Sequence, residues 1–176
     1  MTMLILTHVN HKFKGHKYYA YGPYVREMNL WLKYVDEVII VAPLDDNGSP
    51  GLIDLSYDHD KVSFLKIPQF DILSPQAILK TILLFPMTVQ LVFRGMRMAD
   101  HIHIRCPGNV GLIGCIVQIL FPFKNKTAKY ASNWDWHSHQ PWSYRLQQRI
   151  LRNTFLTRNM TALVYGDWPD STKNIK

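Results

Sequence analysis

At 176 residues, 47% of them hydrophobic and 19% charged, the chain has room for one domain with a real core and is not a disordered polymer. Its net charge of +7 points to an anionic partner: a phosphorylated ligand, an acidic membrane leaflet or nucleic acid. Two cysteines, Cys106 and Cys115, form neither a disulfide framework nor a metal knuckle, so a reducing, cytoplasmic setting is expected.

In chain order, Met3–Leu6 reads as a strand, too short for the apolar core of a signal peptide. A polar and aromatic loop follows from His8 to Tyr21. Pro23 suits the first turn of a helix, and Tyr24, Met28, Trp31 and Val35 give it one apolar stripe. Val38–Val41 is a second strand, closed by Pro43. Asp45–Pro50 has turn composition. A third strand spans Val62, Phe64 and Leu65 and ends by Pro68. Ser74–Pro75 opens a helical region that Pro86 divides. The whole apolar stretch from Ile72 to Met98 reads as a buried helix pair and not as a membrane span, with contact to an anionic membrane surface as the alternative.

His101–Arg105 is a fourth strand. Pro107 opens a helix over Gly108–Leu120, with Gly111 and Gly114 on a small face suited to close packing. Thr127–Ala131 is a fifth strand, Pro141 opens a helix reaching about Arg158, and Thr161–Tyr165 is a sixth strand. About six strands alternating with helices predict a single Rossmann-like, doubly wound parallel sheet with helices on both faces. Its usual order brings the loops after the first and fourth strands together across one crevice.

The first loop, His8–Lys17, fails the G-x-G-x-x-G fingerprint of dinucleotide sites. Lys12 and Lys14 are candidates for phosphate oxygens, and Gly15 permits close backbone approach. A solvated basic loop is the plainer alternative. Arg105 and Asn109 flank a strand-to-helix junction, where backbone N–H groups attract anions and an arginine can clamp a phosphate or carboxylate. Asn133, Trp134 and Asp135, after the fifth strand, combine hydroxyl partners with an aromatic face suited to sugars. The pairs His8/His11, His101/His103 and His137/His139 match no metal-ligand pattern, so no metal is expected. No nucleophile elbow, phosphate-binding P-loop or nucleic-acid motif occurs.

Taken together, Tyr21–Trp31, Val38–Pro43, Asp100–Asn109, Lys129–Trp134 and Ser143–Gln147 resemble the N-terminal domain of GT-B glycosyltransferases. The resemblance is to the family-4 retaining enzymes of bacterial polysaccharide assembly. It implies two Rossmann-like domains facing across a cleft, the N-terminal one holding a glycan or lipid-linked acceptor. The C-terminal one holds the nucleotide-sugar donor, a co-substrate, and carries paired glutamates eight positions apart. Glu27 and Glu37 are the only glutamates here, and neither occupies that place. On this reading residues 1–168 are the acceptor-side domain, 169–176 begin a linker or tail, and the donor domain is absent. No further cofactor is implied. Some relatives carry a histidine where Arg105 stands, with His103 two residues earlier, so no catalytic base is assigned. The alternative is a non-catalytic α/β module, or a subunit of a split transferase, using the same crevice for an anionic ligand. Purified 176-residue protein is therefore expected to show no sugar transfer in a radiolabelled donor assay; detectable turnover would refute the half-enzyme expectation.

Overall fold

A computed structural model describes residues 1–69, 75–135, 137–168 and 172–176. Ser74, Trp136 and the 169–171 part of the expected linker lie outside the described residues, as do the side chains of residues 75–82. The described residues form nine strands and four α-helices: β1 (Thr2–Leu6), β2 (His11–Lys14), β3 (Lys17–Tyr21), α1 (Gly22–Leu32), β4 (Glu37–Asp45), β5 (Asp54–Ser56), β6 (Val62–Ile67), α2 (Pro75–Met98), β7 (His101–Cys106), α3 (Asn109–Val117), β8 (Asn125–Tyr130), α4 (Trp142–Arg152) and β9 (Met160–Leu163). A 3₁₀ turn over Gln118–Leu120 prolongs α3.

The strands join in one mixed sheet. Its parallel core is the run β6-β4-β1-β7-β8-β9, with Leu4 opposite both Ile39 and Ile102. At the far end of β4, Leu44 and Asp45 pair with His11 and Lys12 of β2. There β2, β3 and β5 form an antiparallel extension. The expected parallel sheet of about six strands is therefore a nine-stranded mixed one.

The difference lies in two places. The stretch expected as a loop from His8 to Tyr21 contains a hairpin. Its turn needs positive φ at Gly15 (57°) and His16 (63°), and its rings pack as Phe13 on Tyr18 and Tyr18 on Phe64. The second place is β4, which continues through Pro43, opposite Ile67, to Asp45.

β1 is buried on both faces, and its alternating side chains found two cores. Met3 and Ile5 join Tyr24, Val25, Met28 and Leu32 of α1. Leu4 and Leu6 join Val92 and Met96 of α2, Val110 and Ile113 of α3, and Ile150 and Leu151 of α4. One helix thus covers one face and three cover the other.

α2 is a single 24-residue helix that contains Pro86. Proline removes one backbone hydrogen bond, yet the helix continues past it with a buried stripe at Thr88, Val92 and Met96. Against the expectation of a buried helix pair, the other side of α2 is open to solvent. α4 ends at Arg152, short of the expected Arg158; the N–H groups of Phe155 and Leu156 bond to Asn153 Oδ1 and turn the chain. The last residues lie against β9: Ala162 N–H donates to Asn174 and Lys176 N–H to Ala162. Among the described residues, no helix is long and apolar enough to cross a membrane.

α3 approaches the end of β7 closely at Gly111. A methyl group there would lie 2.7 Å from the Arg105 carbonyl oxygen and 2.9 Å from Gln147 Oε1. A carbonyl of a paired strand cannot retreat cheaply. Gly111→Ala is expected to cost about 1–3 kcal/mol, read as a lower urea midpoint at unchanged m-value.

Candidate functional site

The parallel run reverses direction around β1: β4 and β6 lie to one side, and β7, β8 and β9 to the other. Beyond the C-terminal ends of β1 and β7 lies a pocket of about 330 Å³, lined by His8, Pro43, Gln69, Pro107, Gly108, Asn109, Val110 and Tyr144. Four strands deliver these residues. His8 follows β1, Pro43 stands near the end of β4, Gln69 follows β6, and residues 107–110 link β7 to α3. Tyr144 comes from the first turn of α4.

Gly108 makes the junction possible. Its φ of 149° excludes ordinary side chains, and a Cβ there would lie 3.1 Å from His8 Nδ1. No side chain caps α3, so the amides of its first turn have no intrahelical partner. Burial, and then the positive charge of Arg105, push the His8 pKa down, so His8 is neutral at pH 7 and offers one donor and one acceptor. Beneath the junction the thiols of Cys106 and Cys115 lie 3.6 Å apart, both buried.

Of the residues singled out from sequence, Asn109 lines this pocket. Arg105 projects to the α1 face, where its guanidinium bonds Glu27 (Nη1 to Oε2, 3.1 Å) and lies 4.8 Å from the centre of the Tyr24 ring. Lys12 stands on β2 and pairs with Asp54 at 2.8 Å. Lys14 is exposed on the hairpin, and Gly15 is in its turn. These three belong to the antiparallel extension and do not line the pocket.

Trp134 is buried against Tyr130, edge to face. Its carbonyl accepts from Gln148 Nε2, which places it in the core. Asn133 Oδ1 accepts the Asp135 N–H, and Asp135 Oδ1 accepts the His137 N–H. Both side chains shape the local turn. Sequence reasoning did not pick out Gln69 and Tyr144. They lack neighbouring chemistry in the chain and reach the pocket only through the packing of β6 and α4.

The histidines of the interior have structural partners. His11 Nδ1 lies 2.8 Å from the Val9 carbonyl and must donate to it. Its Nε2, 2.7 Å from the Tyr57 hydroxyl, therefore accepts. Protonation would reverse that second bond and place a charge in the core, and burial holds the His11 pKa down at about 4. His103 meets Thr127 Oγ1 at 2.8 Å and lies beside Trp31, while His101 Nε2 meets the same oxygen at 3.0 Å. Burial lowers the His103 pKa to about 3. Among the described residues, no group of three or more His, Cys, Asp or Glu side chains is placed to hold a metal.

Both depressed histidine pKa values lie below the ordinary 6.5. The unfolded chain therefore binds more protons than the folded one between pH 6.5 and about 4, and stability falls as pH drops through that window. The pair is expected to cost on the order of 5 kcal/mol between pH 7 and pH 4, measured as a decline in urea midpoint that His103→Gln makes shallower. Neither a protein-family model, nor a curated protein, nor a solved structure matches this chain.

Proposed function

We propose that the chain is the acceptor-side half of a glycosyltransferase that moves a sugar from a nucleotide-sugar donor to a glycan or lipid-linked acceptor. The parallel run β6-β4-β1-β7-β8-β9 is read here as the Rossmann-like, doubly wound core of such a half. The observation that carries the reading is the pocket at the reversal point. In open α/β sheets ligands bind beyond the C-terminal strand ends where the order reverses, and here that place holds His8, Asn109 and the uncapped start of α3.

The residues divide the work as follows. The open amides of α3 receive phosphate or carboxylate oxygens. Asn109 supplies a donor and an acceptor for a hydroxyl. Neutral His8, on the opposite wall, can accept a hydroxyl proton or donate to an oxygen without placing a second charge in the pocket. Tyr144 provides an aromatic edge. Burial, with the positive charge of Arg105 behind it, keeps His8 neutral. The catalytic centre requires a donor-binding domain across the pocket; this chain supplies one wall.

The test is radiolabelled transfer from a panel of nucleotide sugars onto extractable lipid or glycan, with the chain joined to or co-expressed with a donor-binding domain. His8→Ala and Asn109→Ala are each expected to lower transfer about tenfold or more with unchanged urea midpoints. Absence of transfer together with chemical-shift changes at residues 108–110 on adding inorganic phosphate would favour the non-catalytic anion-binding module. Full transfer by both variants would remove the pocket from the mechanism.

A further inference from the structure

The outward side of α2 faces solvent although it is rich in apolar side chains. In the described half of the helix, Leu83, Phe85, Pro86, Met87, Gln90, Phe93, Arg94, Arg97 and Met98 are exposed. At about 100° per residue all but Phe85 fall within an arc of roughly 140°, and Phe85 lies on the flank outside it. Leu83 keeps 70% of its surface in water. The arc continues onto the neighbouring element. Phe93 packs on Phe121 with ring centroids 5.2 Å apart. Phe121 stands between Leu120 and Phe123, which are 67% and 89% exposed. Lys124 fixes this turn to the end of α2, its Nζ donating to the carbonyls of Met96, Arg97 and Ala99.

The charge on this surface has one sign. α2 contains Lys80, Arg94 and Arg97 and no acidic residue. α3, the 3₁₀ turn and residues 121–124 add only Lys124. The nearest acid, Asp100, lies two residues beyond α2 on the Lys124 side, is exposed, and accepts the Thr2 N–H at 2.7 Å at the foot of β1. A surface that combines aliphatic and aromatic side chains with arginines, and whose α2 and 118–124 elements carry no acids, complements an anionic, water-to-apolar boundary. It does not suit a nucleic acid, which offers phosphates without an apolar phase for Leu83, Met87, Leu120 and Phe123.

We infer that the outer face of α2, with the Leu120–Lys124 turn, docks on the surface of an anionic lipid bilayer. The apolar side chains enter the acyl boundary, and Arg94 and Arg97 meet lipid phosphates. The contact leaves the pocket open, because α2 and the Leu120–Lys124 turn contribute none of its lining. The inference stands apart from sugar transfer: a bilayer contact can fail while the pocket functions, and the reverse.

The experiment is flotation of the full chain with phosphatidylcholine vesicles, with and without phosphatidylglycerol, at low and at physiological salt. Binding to the anionic vesicles and not to the neutral ones is expected, weakening as salt rises. Arg94→Gln with Arg97→Gln is expected to weaken it about thirtyfold, from the usual gain per basic residue at such a surface. Leu83→Ser with Met87→Ser is expected to weaken it with an unchanged circular dichroism spectrum, both side chains being solvent-exposed. Equal binding to neutral and anionic vesicles, no binding at low salt, or wild-type binding by both variants would overturn the inference. So would a dimer in sedimentation equilibrium that the Leu83→Ser/Met87→Ser variant dissociates, since a second copy would then occupy the face.

Discussion

Every larger feature of this protein depends on β1 being covered from both sides. Four consecutive apolar residues, Met3 to Leu6, lie almost wholly out of water, each worth about 1–3 kcal/mol of transfer free energy. Because neighbours on a strand point oppositely, the same short run anchors α1 on one side and α2, α3 and α4 on the other. The hydrogen-bonding edges of β1 are used as well, by β4 and by β7. A strand satisfied in four directions sits at the centre of the sheet. The chain must leave its C-terminal end where β4 and β7 part, and His8 emerges at that point.

The pocket inherits its character from this arrangement. Most of its walls come from strand ends and helix starts that are held by the core. Close approach is the recurrent device. Gly111 lets α3 come against β7, and Gly108 lets His8 come against the start of α3. Buried polar groups nearby are retained in neutral form: His11 between a carbonyl and a phenol, and His103 against Thr127. Tyr24 is also kept uncharged, its phenol pushed up to about 12 by burial. Arg105 is paired with Glu27 beside the Tyr24 ring. The interior close to the pocket thus holds a paired guanidinium and several neutral hydrogen-bonding groups.

Much of the parallel core could be read from the sequence because apolar runs, proline and glycine mark it without ambiguity. All six expected strands are present, and α1 begins at Gly22, one residue before its expected proline, and ends at Leu32, short of Val35. The antiparallel extension was not legible. Phe13 packs on Tyr18, Tyr18 on Phe64, and His11 on Phe64 and Tyr57, contacts that leave no periodic trace in a polar stretch. Proline misled twice, at Pro43 and Pro86. At Pro43 surrounding burial outweighs one missing N–H, and at Pro86 the helix runs on to the buried Thr88, Val92 and Met96. Among the site residues, Asn109 was legible because a strand-to-helix junction has a local signature. Arg105 and Trp134 have suitable chemistry, but tertiary partners hold them elsewhere: an ion pair with Glu27, and the core beside Tyr130.

The two thiols beneath the pocket carry one more consequence. Cys106 closes β7, Cys115 belongs to α3, and neither is reachable from water while the helix rests on the strand. A reagent that labels them can do so only in moments when α3 lifts away. The molecule therefore contains its own gauge of how often the wall of its pocket opens, read in the pace at which its cysteines are caught.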